Sequence, residues 1–231
     1  MSISVNFGKP MPLFPMHTVC LMPQQVTPLH IFEPRYRQMI SDCLDGAGQI
    51  AMGVFEGEQW KQQYHGRPPV REAVCVGQII QHERMTDGRF NIILQGVCRA
   101  RIVREVAADG VTLYRRAMLE PLGLPFGDDE KLVGVRERMT ELLEHWPLSQ
   151  LTRGPWVVER LREEQIPPAA ALDLVCFTIF SDPATRYRLL AEPDATTRAE
   201  IAEEALMDLG KLIRRAADQH PDEWPKGLSW N

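Results

Sequence analysis

The sequence lacks three features that mark particular classes of protein. No hydrophobic run approaches the roughly 18 residues of a membrane-spanning helix. The 231 residues carry a formal net charge of -5, whereas nucleic-acid-binding proteins usually concentrate a basic surplus on one surface. Pro10, Pro12 and Pro15 interrupt the first apolar stretch, so that it does not fit a secretory signal. We therefore expect a cytoplasmic protein that binds neither nucleic acid nor membrane.

The sequence is also poor in motifs that perform chemistry. Its five cysteines are widely spaced and include no C-x-x-C pair, which argues against a zinc site or a thiol-exchange centre and favours buried, reduced thiols. There is no G-x-x-x-x-G-K-[ST] phosphate loop, no H-E-x-x-H helix and no G-x-S-x-G elbow. We accordingly predict no cofactor, no metal and no catalytic residue.

What the sequence does contain, from residue 49 to about 120, is a series of strand patterns. Apolar runs at 49–55 and 73–80 fit buried strands. Phe90, Ile92 and Leu94 alternate with polar residues, so that this side of the next strand should face a core.

Turn residues divide these strands into hairpins. Thr86-Asp87-Gly88 precedes the strand at 89–95, and Asp109-Gly110 separates two further strand patterns; both turns tolerate the positive φ of tight connections. We therefore expect two antiparallel hairpins. Arg99 and Arg101, two residues apart on a strand, should share a face, which we interpret as a solvated outer face.

The second half of the sequence has helical periodicity. Residues 121–130 break the strand pattern with prolines and glycines, then offer Asp128 and Asp129 for a helix start. Hydrophobic residues then recur at helical spacing, first as Leu132, Val135, Met139, Leu142, Leu143 and Trp146, and later as Ile201, Ala205, Leu209, Leu212, Ile213 and Ala216. We divide the chain into a β-rich lobe of residues 1–120 and a helical lobe of residues 121–231.

Shorter helices fit between these two. Residues 156–165 and 168–180 each have a helical pattern, and Pro183 can begin another helix. Thr197 followed by Glu200 resembles a capping box for the last long helix. In the tail, we expect Trp224 and Trp230 to dock on the body of the protein.

The stretch PLHIFEPRYRQMI (28–40) places charged residues beside a helix start. Pro34 fits the first helical turn, and Glu33 lies where a carboxylate favours the positive helix end. His30 stands in a dense apolar run, and we interpret its imidazole as bonded to a partner inside the fold. The stretch is therefore a joint between a strand and a helix rather than a catalytic centre.

Two segments of this sequence carry a resemblance to a known family. MPLFPMHTVCLMPQQVTPLHIFEPRYRQMISDCL (11–44) is similar to the opening of the Lon protease N-terminal domain family, approximately L-P-L-F-P-L-x-x-V-x-x-P and then P-L-x-I-F-E-P-R-Y. VGQIIQHERMTDGRFNIILQGVCRARI (76–102) resembles the hairpin of that family and its L-x-G-x-x-R-x-x-I segment. Gln24-Gln25, where the family often has glycines, and Met16-His17, where Leu-Asn is usual, depart from the pattern.

The resemblance covers about residues 10–120 by motif and the remainder mainly by pattern. It implies an α+β fold, in which an N-terminal antiparallel β-rich pseudo-barrel lobe with one helix precedes a C-terminal α-helical bundle. In Lon proteases this region recognises polypeptide substrates ahead of an ATPase and a Ser-Lys peptidase, and this sequence has the motifs of neither. The chain therefore looks like a stand-alone, non-catalytic substrate-binding module, possible roles being adaptor, holdase or regulator of proteolysis.

Trp60, Tyr64 and Met22 are the candidate peptide-binding residues. The two aromatic residues lie in a polar connection that contains Gly and Pro (56–72), where aromatic side chains are often exposed anchors. The alternative, a mobile loop whose aromatic side chains cover the barrel, stays open. The expected partners are polypeptide segments or a partner protein, and the oligomeric state is left open.

Two other functions remain open at this point. The first is a hydrolase or a small-ligand-binding enzyme with a pocket assembled from His17, His30 and Glu33, together with Cys20. Such a pocket requires these groups within about 3 Å of one another or of a substrate. The second is a structural subunit of a separate ATPase or protease.

Overall fold

Strands dominate the first half of the chain and helices the second half in the computed structural model, which describes residues 3–64, 66–123 and 132–219. The elements of the first half are, in order, β1 (Met11–Met16), β2 (Val26–Ile31), α1 (Pro34–Leu44), β3 (Gln49–Val54), α2 (Trp60–Gln63), β4 (Ala73–Arg84), β5 (Phe90–Glu105) and β6 (Arg115–Pro121). Those of the second half are α3 (Val135–Glu144), a 3₁₀ turn (Leu148–Gln150), α4 (Gly154–Leu161), α5 (Pro168–Ile179), α6 (Pro183–Ala191) and α7 (Ala195–Asp218). The predicted α+β class is confirmed.

The strands form one mixed sheet in the order β2-β5-β4-β3-β1-β6, and β6 also pairs with β5. The sheet therefore curls back on itself as a pseudo-barrel, with β2 as an extra strand on β5. The β1–β3 pair is parallel, so the expectation of a purely antiparallel lobe was incomplete. A parallel pair needs a long crossover connection, and the segment that contains β2 and α1 supplies it.

Both predicted hairpins are present. β4 pairs antiparallel with β5 across the turn at Gly88, whose φ is 80°. β5 pairs antiparallel with β6, and Gly110 in their connection has a φ of 77°. Both turns place glycine in the left-handed region, where a side chain is disfavoured.

The predicted helix start at residue 34 is also confirmed. Pro34 occupies the first turn of α1 and Glu33 is the N-cap residue, although its side chain makes no capping bond. The buried stripe of this helix consists of Tyr36, Met39, Ile40 and Cys43. This stripe fixes α1 against the sheet and directs Glu33 and Arg35 away from the core.

Two hydrophobic clusters hold the protein together. The smaller belongs to the sheet and comprises Met11, Leu13, Ala51, Val74, Val76, Ala100, Ala117 and Leu119. The larger joins residues of both halves, from Phe14 and Tyr36 to Leu172 and Leu206. The proposed division at residues 120/121 remains a prediction, since 124–131 lies outside the described residues.

A buried ion pair crosses from the sheet to the helices and corrects one expectation. Arg99 on β5 is 8% exposed, and its guanidinium donates to both carboxylate oxygens of Asp173 on α5, at 3.1 and 2.5 Å. Arg101 instead forms an exposed pair with Glu120. The interpretation of a solvated outer face was therefore wrong at Arg99, because α5 covers that part of the face.

The helical half matches its predicted pattern with one correction. Pro183 begins α6, as expected, and Asp182 caps it. The last helix is capped by Asp194, whose side chain accepts from the backbone N–H of Thr197. The capping box predicted at Thr197 was therefore placed three residues late. None of the helices in the described ranges combines the length and apolarity needed to cross a bilayer.

Some expectations concern residues outside the described ranges. These are the helix start at Asp128 and Asp129 and the docking of Trp224 and Trp230.

Candidate functional site

The connection between β3 and β4 has a fixed base. Phe55 forms a bridge with Val70, the Glu56 N–H donates to the Pro69 carbonyl at 2.8 Å, and the Arg71 N–H donates to the Val54 carbonyl at 2.9 Å. These contacts close the connection where it leaves the sheet, and α2 lies within it.

Trp60 opens α2 and stacks on two other rings. Its ring lies 4.4 Å from that of His17, at an interplanar angle of 21°, and 6.1 Å from that of Phe55, at 11°. Phe55 is buried, Trp60 is partly buried and His17 is exposed. The stack therefore runs from the sheet to the surface, where it presents aromatic area to solvent.

Tyr64 is held by the joint between β2 and α1. Its hydroxyl donates to Glu33 Oε1 at 2.5 Å, and its carbonyl accepts from the guanidinium of Arg35 at 3.1 Å. That guanidinium also bonds Glu33 Oε2 and lies 4.6 Å from the centre of the Tyr64 ring. Burial and the hydrogen bond to Glu33 raise the pKa of Tyr64. The charged residues at 33 and 35 thus position an aromatic side chain.

We call these six residues the aromatic cluster: His17, Glu33, Arg35, Phe55, Trp60 and Tyr64. The Glu33–Arg35 ion pair inside the cluster is internally neutral, and the exposed Lys61 beside the Trp60 ring pairs with Glu58. The surface therefore combines ring faces and edges with balanced charges. Such a surface suits apolar and aromatic side chains of another chain, because aromatic pairs gain about 0.5–1.5 kcal/mol beyond the area that they bury.

The structure brings together some of the residues that the sequence singled out. Trp60 and Tyr64, from the peptide-binding prediction, meet His17 and Glu33, from the enzyme hypothesis, in one cluster. Met22, by contrast, is 0% exposed in the main hydrophobic cluster. Met22 could contact a bound peptide only after a rearrangement, and its binding role remains a prediction.

Two residues of the enzyme hypothesis, Cys20 and His30, lie in different environments. Cys20 is buried, and burial raises the pKa of its thiol to about 11, so that the nucleophilic thiolate is scarce near neutral pH. His30 is exposed, and its Nδ1 pairs with Asn91 Oδ1 at 2.7 Å. The interpretation of His30 as an interior residue was wrong, because β2 lies at the end of the strand order and turns this side chain outward.

Sequence reasoning missed two structural features of this region. It assigned no role to Arg35, whereas the guanidinium of Arg35 bonds both Glu33 and the carbonyl of Tyr64, which lies 29 residues further along the sequence. It also missed Phe55 as the base of the stack. No short-range pattern reports such contacts. Within the described ranges, no group of three or more His, Cys, Asp and Glu side chains could hold a metal ion.

A family model matches most of the chain, and solved structures share its fold. The family model described as ATP-dependent protease La (LON) substrate-binding domain matches residues 10–208. The fold is similar to that of the N-terminal domain of a Mycobacterium avium complex Lon protease, with a TM-score of 0.63 and 16% identity over 87% of this chain and 99% of that chain. It is also similar to a Lon N-terminal domain protein from Xanthomonas campestris, with a TM-score of 0.53 and 22% identity over 83% and 95% of the two chains.

Proposed function

Because the chain belongs to the family of the ATP-dependent protease La (LON) substrate-binding domain, we propose that it binds polypeptide segments through the aromatic cluster without transforming them. It acts in the cytoplasm as an adaptor, a holdase or a regulator of proteolysis. The match of the family model over residues 10–208 is the observation that carries this proposal.

The aromatic cluster supports the choice of surface. Tyr64 is fixed by its hydrogen bonds to Glu33 and Arg35. Phe55 is buried at the base of the stack, and Trp60 packs between Phe55 and His17. A surface of fixed aromatic side chains is typical of binding hot spots, since little conformational entropy is lost when a partner docks.

Fluorescence anisotropy of a labelled, permanently unfolded polypeptide tests the proposal. The Trp60→Ala variant should bind at least about tenfold more weakly, because truncation of a central aromatic anchor typically costs 2 kcal/mol or more. Trp156→Ala is the matched control, since Trp156 on α4 is 48% exposed and lies outside the cluster. Equal affinities of Trp60→Ala and the unmodified chain would contradict the assignment of this surface.

Crosslinking followed by mass spectrometry separates this function from that of a structural subunit. Many unfolded clients, crosslinked near residues 56–69, would support a substrate binder. One stoichiometric ATPase or protease partner, crosslinked elsewhere, would support the subunit instead.

A further inference from the structure

The apolar side of α7 extends beyond the part of the helix that the body of the protein covers. Ile201 on this side is buried, at 7% exposure, whereas Leu212 is 60% exposed. The two residues are eleven positions apart, which is about three helical turns, so they lie on the same side of α7. Among residues 211–219, every residue except Ile213 is exposed. The described part of the chain therefore leaves the end of this apolar side in solvent.

A groove lies on the same side of α7, nearer to the start of the helix. It has a volume of about 730 Å³, and Tyr187 and Ala191 on α6 and Ile201 on α7 give it an apolar lining. Charged and polar side chains complete the lining, namely Arg188, Glu192, Thr197, Glu200 and Glu204. Arg188 is paired with Glu204 at 3.1 Å, so Glu192 and Glu200 leave the rim with an excess of negative charge.

A stripe of exposed charges runs beside Leu212. It consists of Glu204, Asp208, Lys211 and Arg215, which are four, three and four residues apart. Residues at this spacing share one face of a helix, and the sign of the charge changes from acidic to basic along it. Asp208 and Lys211 pair with each other at 2.7 Å, whereas Arg215 forms no ion pair within the described ranges. The basic end of the stripe is therefore available to a carboxylate of another segment.

Residues 220–231, HPDEWPKGLSWN, follow directly after the described part of α7. Their charges have the same order as those of the stripe, since Asp222 and Glu223 precede Lys226. Two segments with the same order of charges are complementary when they run antiparallel. Two large apolar side chains complete the pattern, those of Trp224 and Trp230.

We propose that residues 220–231 turn back at Pro221, which cannot continue the helix, and lie antiparallel along α7 over Leu212 and the groove. An extended residue advances about 3.3 Å and a helical residue about 1.5 Å, so each residue of the returning segment passes about two residues of α7. With residue 222 level with residue 218, Trp224 lies level with about residue 214, Lys226 with about residue 209 and Trp230 with about residue 200.

This register brings the two tryptophans to the apolar side of α7. Trp224 covers Leu212, and Trp230 enters the groove beside Ile201. A buried tryptophan removes about 150–250 Å² from water, which makes these two contacts the main driving force for docking.

The same register brings the charges together in complementary pairs. Glu223 reaches Arg215, and Lys226 lies near Asp208 on the acidic half of the stripe. Because the segment is continuous with α7, docking requires no second molecule and proceeds at a high effective concentration.

Disulfide trapping in the whole chain tests this docking. Ser229→Cys with Glu200→Cys places one thiol beside Trp230 and the other at the groove. Under mild oxidation these thiols should form an intramolecular disulfide at least about tenfold faster than those of the control pair, Ser229→Cys with Glu159→Cys, because docking raises their effective concentration. Glu159 is exposed on α4 and does not line the groove.

Peptide mapping by mass spectrometry identifies the disulfide that forms. A bond within one chain supports the proposal. A bond only between two chains would overturn it in favour of a second copy in the groove, and a rate no faster than that of the control pair would overturn it as well.

Charge exchange tests the register in the same trapping experiment. Glu223→Arg or Arg215→Glu alone should slow disulfide formation by about two- to fivefold, the range expected when an exposed ion pair is lost. The two changes together exchange the charges and should restore the rate. A combined variant that stays as slow as the single variants would contradict the antiparallel arrangement.

Replacement of the apolar contact provides an independent test. Leu212→Gln should slow trapping at least about fivefold, because Trp224 then loses the apolar side chain that it covers. Val111→Gln is the matched control, since Val111 is 76% exposed in the connection between β5 and β6. Both replaced side chains are exposed, so the fold should be retained, as circular dichroism would verify. Equal trapping rates in these two variants would refute the docking of Trp224 on Leu212.

Discussion

Replacing Asp173 with alanine would leave the guanidinium of Arg99 buried without its carboxylate. Both side chains of this pair are more than nine-tenths buried, at 7% and 8% exposure. Although burial favours the neutral form of Arg99, the carboxylate of Asp173 holds its pKa above the ordinary value. Removing one partner of such a pair typically costs about 3–5 kcal/mol, because the other charge loses its compensation.

The cost should be greater for Asp173→Ala than for Arg99→Met. Burial lowers the pKa of Arg198, and repulsion by the charge of Arg99 lowers it further. Without Asp173 these two guanidinium groups would repel each other in a dry environment. Without Arg99, in contrast, Asp173 would keep Arg198 as a nearby positive charge.

Urea unfolding followed by tryptophan fluorescence provides the measurement. In a parallel thermal unfolding experiment, a loss of about 3–5 kcal/mol of stability should lower the Tm of a chain of this size by roughly 6–20 °C. The double variant that combines Arg99→Met with Asp173→Ala should lose much less stability than the sum of the two single changes, since it removes both charges together. If the loss in free energy of unfolding of the double variant equals the sum of the losses of the two single variants, the reasoning is refuted. A loss below about 1 kcal/mol for Asp173→Ala would refute it as well.

Three further predictions concern single residues. Gln24→Gly should raise the free energy of unfolding in urea by about 0.5–1 kcal/mol, because Gln24 has a φ of 66°, in the left-handed region that glycine adopts without strain. An unchanged or lower free energy of unfolding would count against backbone strain at this position. Asp182→Ala should cost about 1 kcal/mol near pH 7, since its carboxylate accepts from the Thr185 N–H at 2.7 Å. The hydrogen bonds from Thr185 lower the pKa of Asp182 in the folded protein. The carboxylate therefore stabilises the fold fully above the ordinary carboxyl pKa of about 4, and this contribution is lost as the pH falls through the lower pKa of the folded state. If the unmodified chain and Asp182→Ala still differ in stability by the full amount at about pH 2, the prediction is contradicted. Because burial raises the pKa of the Cys20 thiol to about 11, a thiol reagent at neutral pH should label this residue only on unfolding, and rapid labelling of the native protein would revive a nucleophilic role.

Local patterns predicted much of the fold because short-range chemistry controls it. The turn at Gly88, the helix start at Pro34 and the buried face of Phe90, Ile92 and Leu94 each depend on neighbouring residues alone. The cap of α7 was missed by three residues because Asp194 competes with Thr197 for the same helix start. Both side chains are suitable caps, and the sequence does not rank them.

The candidate site was only partly predictable. Trp60 and Tyr64 were found because aromatic residues in a polar connection are unusual. Their partners His17, Glu33 and Arg35 come from other segments, up to 43 residues away between His17 and Trp60. Composition also gave no warning that Met22 would be fully buried, since an apolar residue in a loop suits either a surface or a core.

Residue type and spacing along one chain are enough to predict strands followed by helices, the family resemblance and the absence of common catalytic motifs. Which polar residues are covered depends instead on how distant segments pack together. Arg99 and His30 both stand in strands, yet α5 covers the first and nothing in the described chain encloses the second. That difference depends on packing between segments far apart in sequence. A charged side chain such as Arg99 is buried only where a partner such as Asp173 offsets the loss of hydration, and local patterns do not reveal that partner.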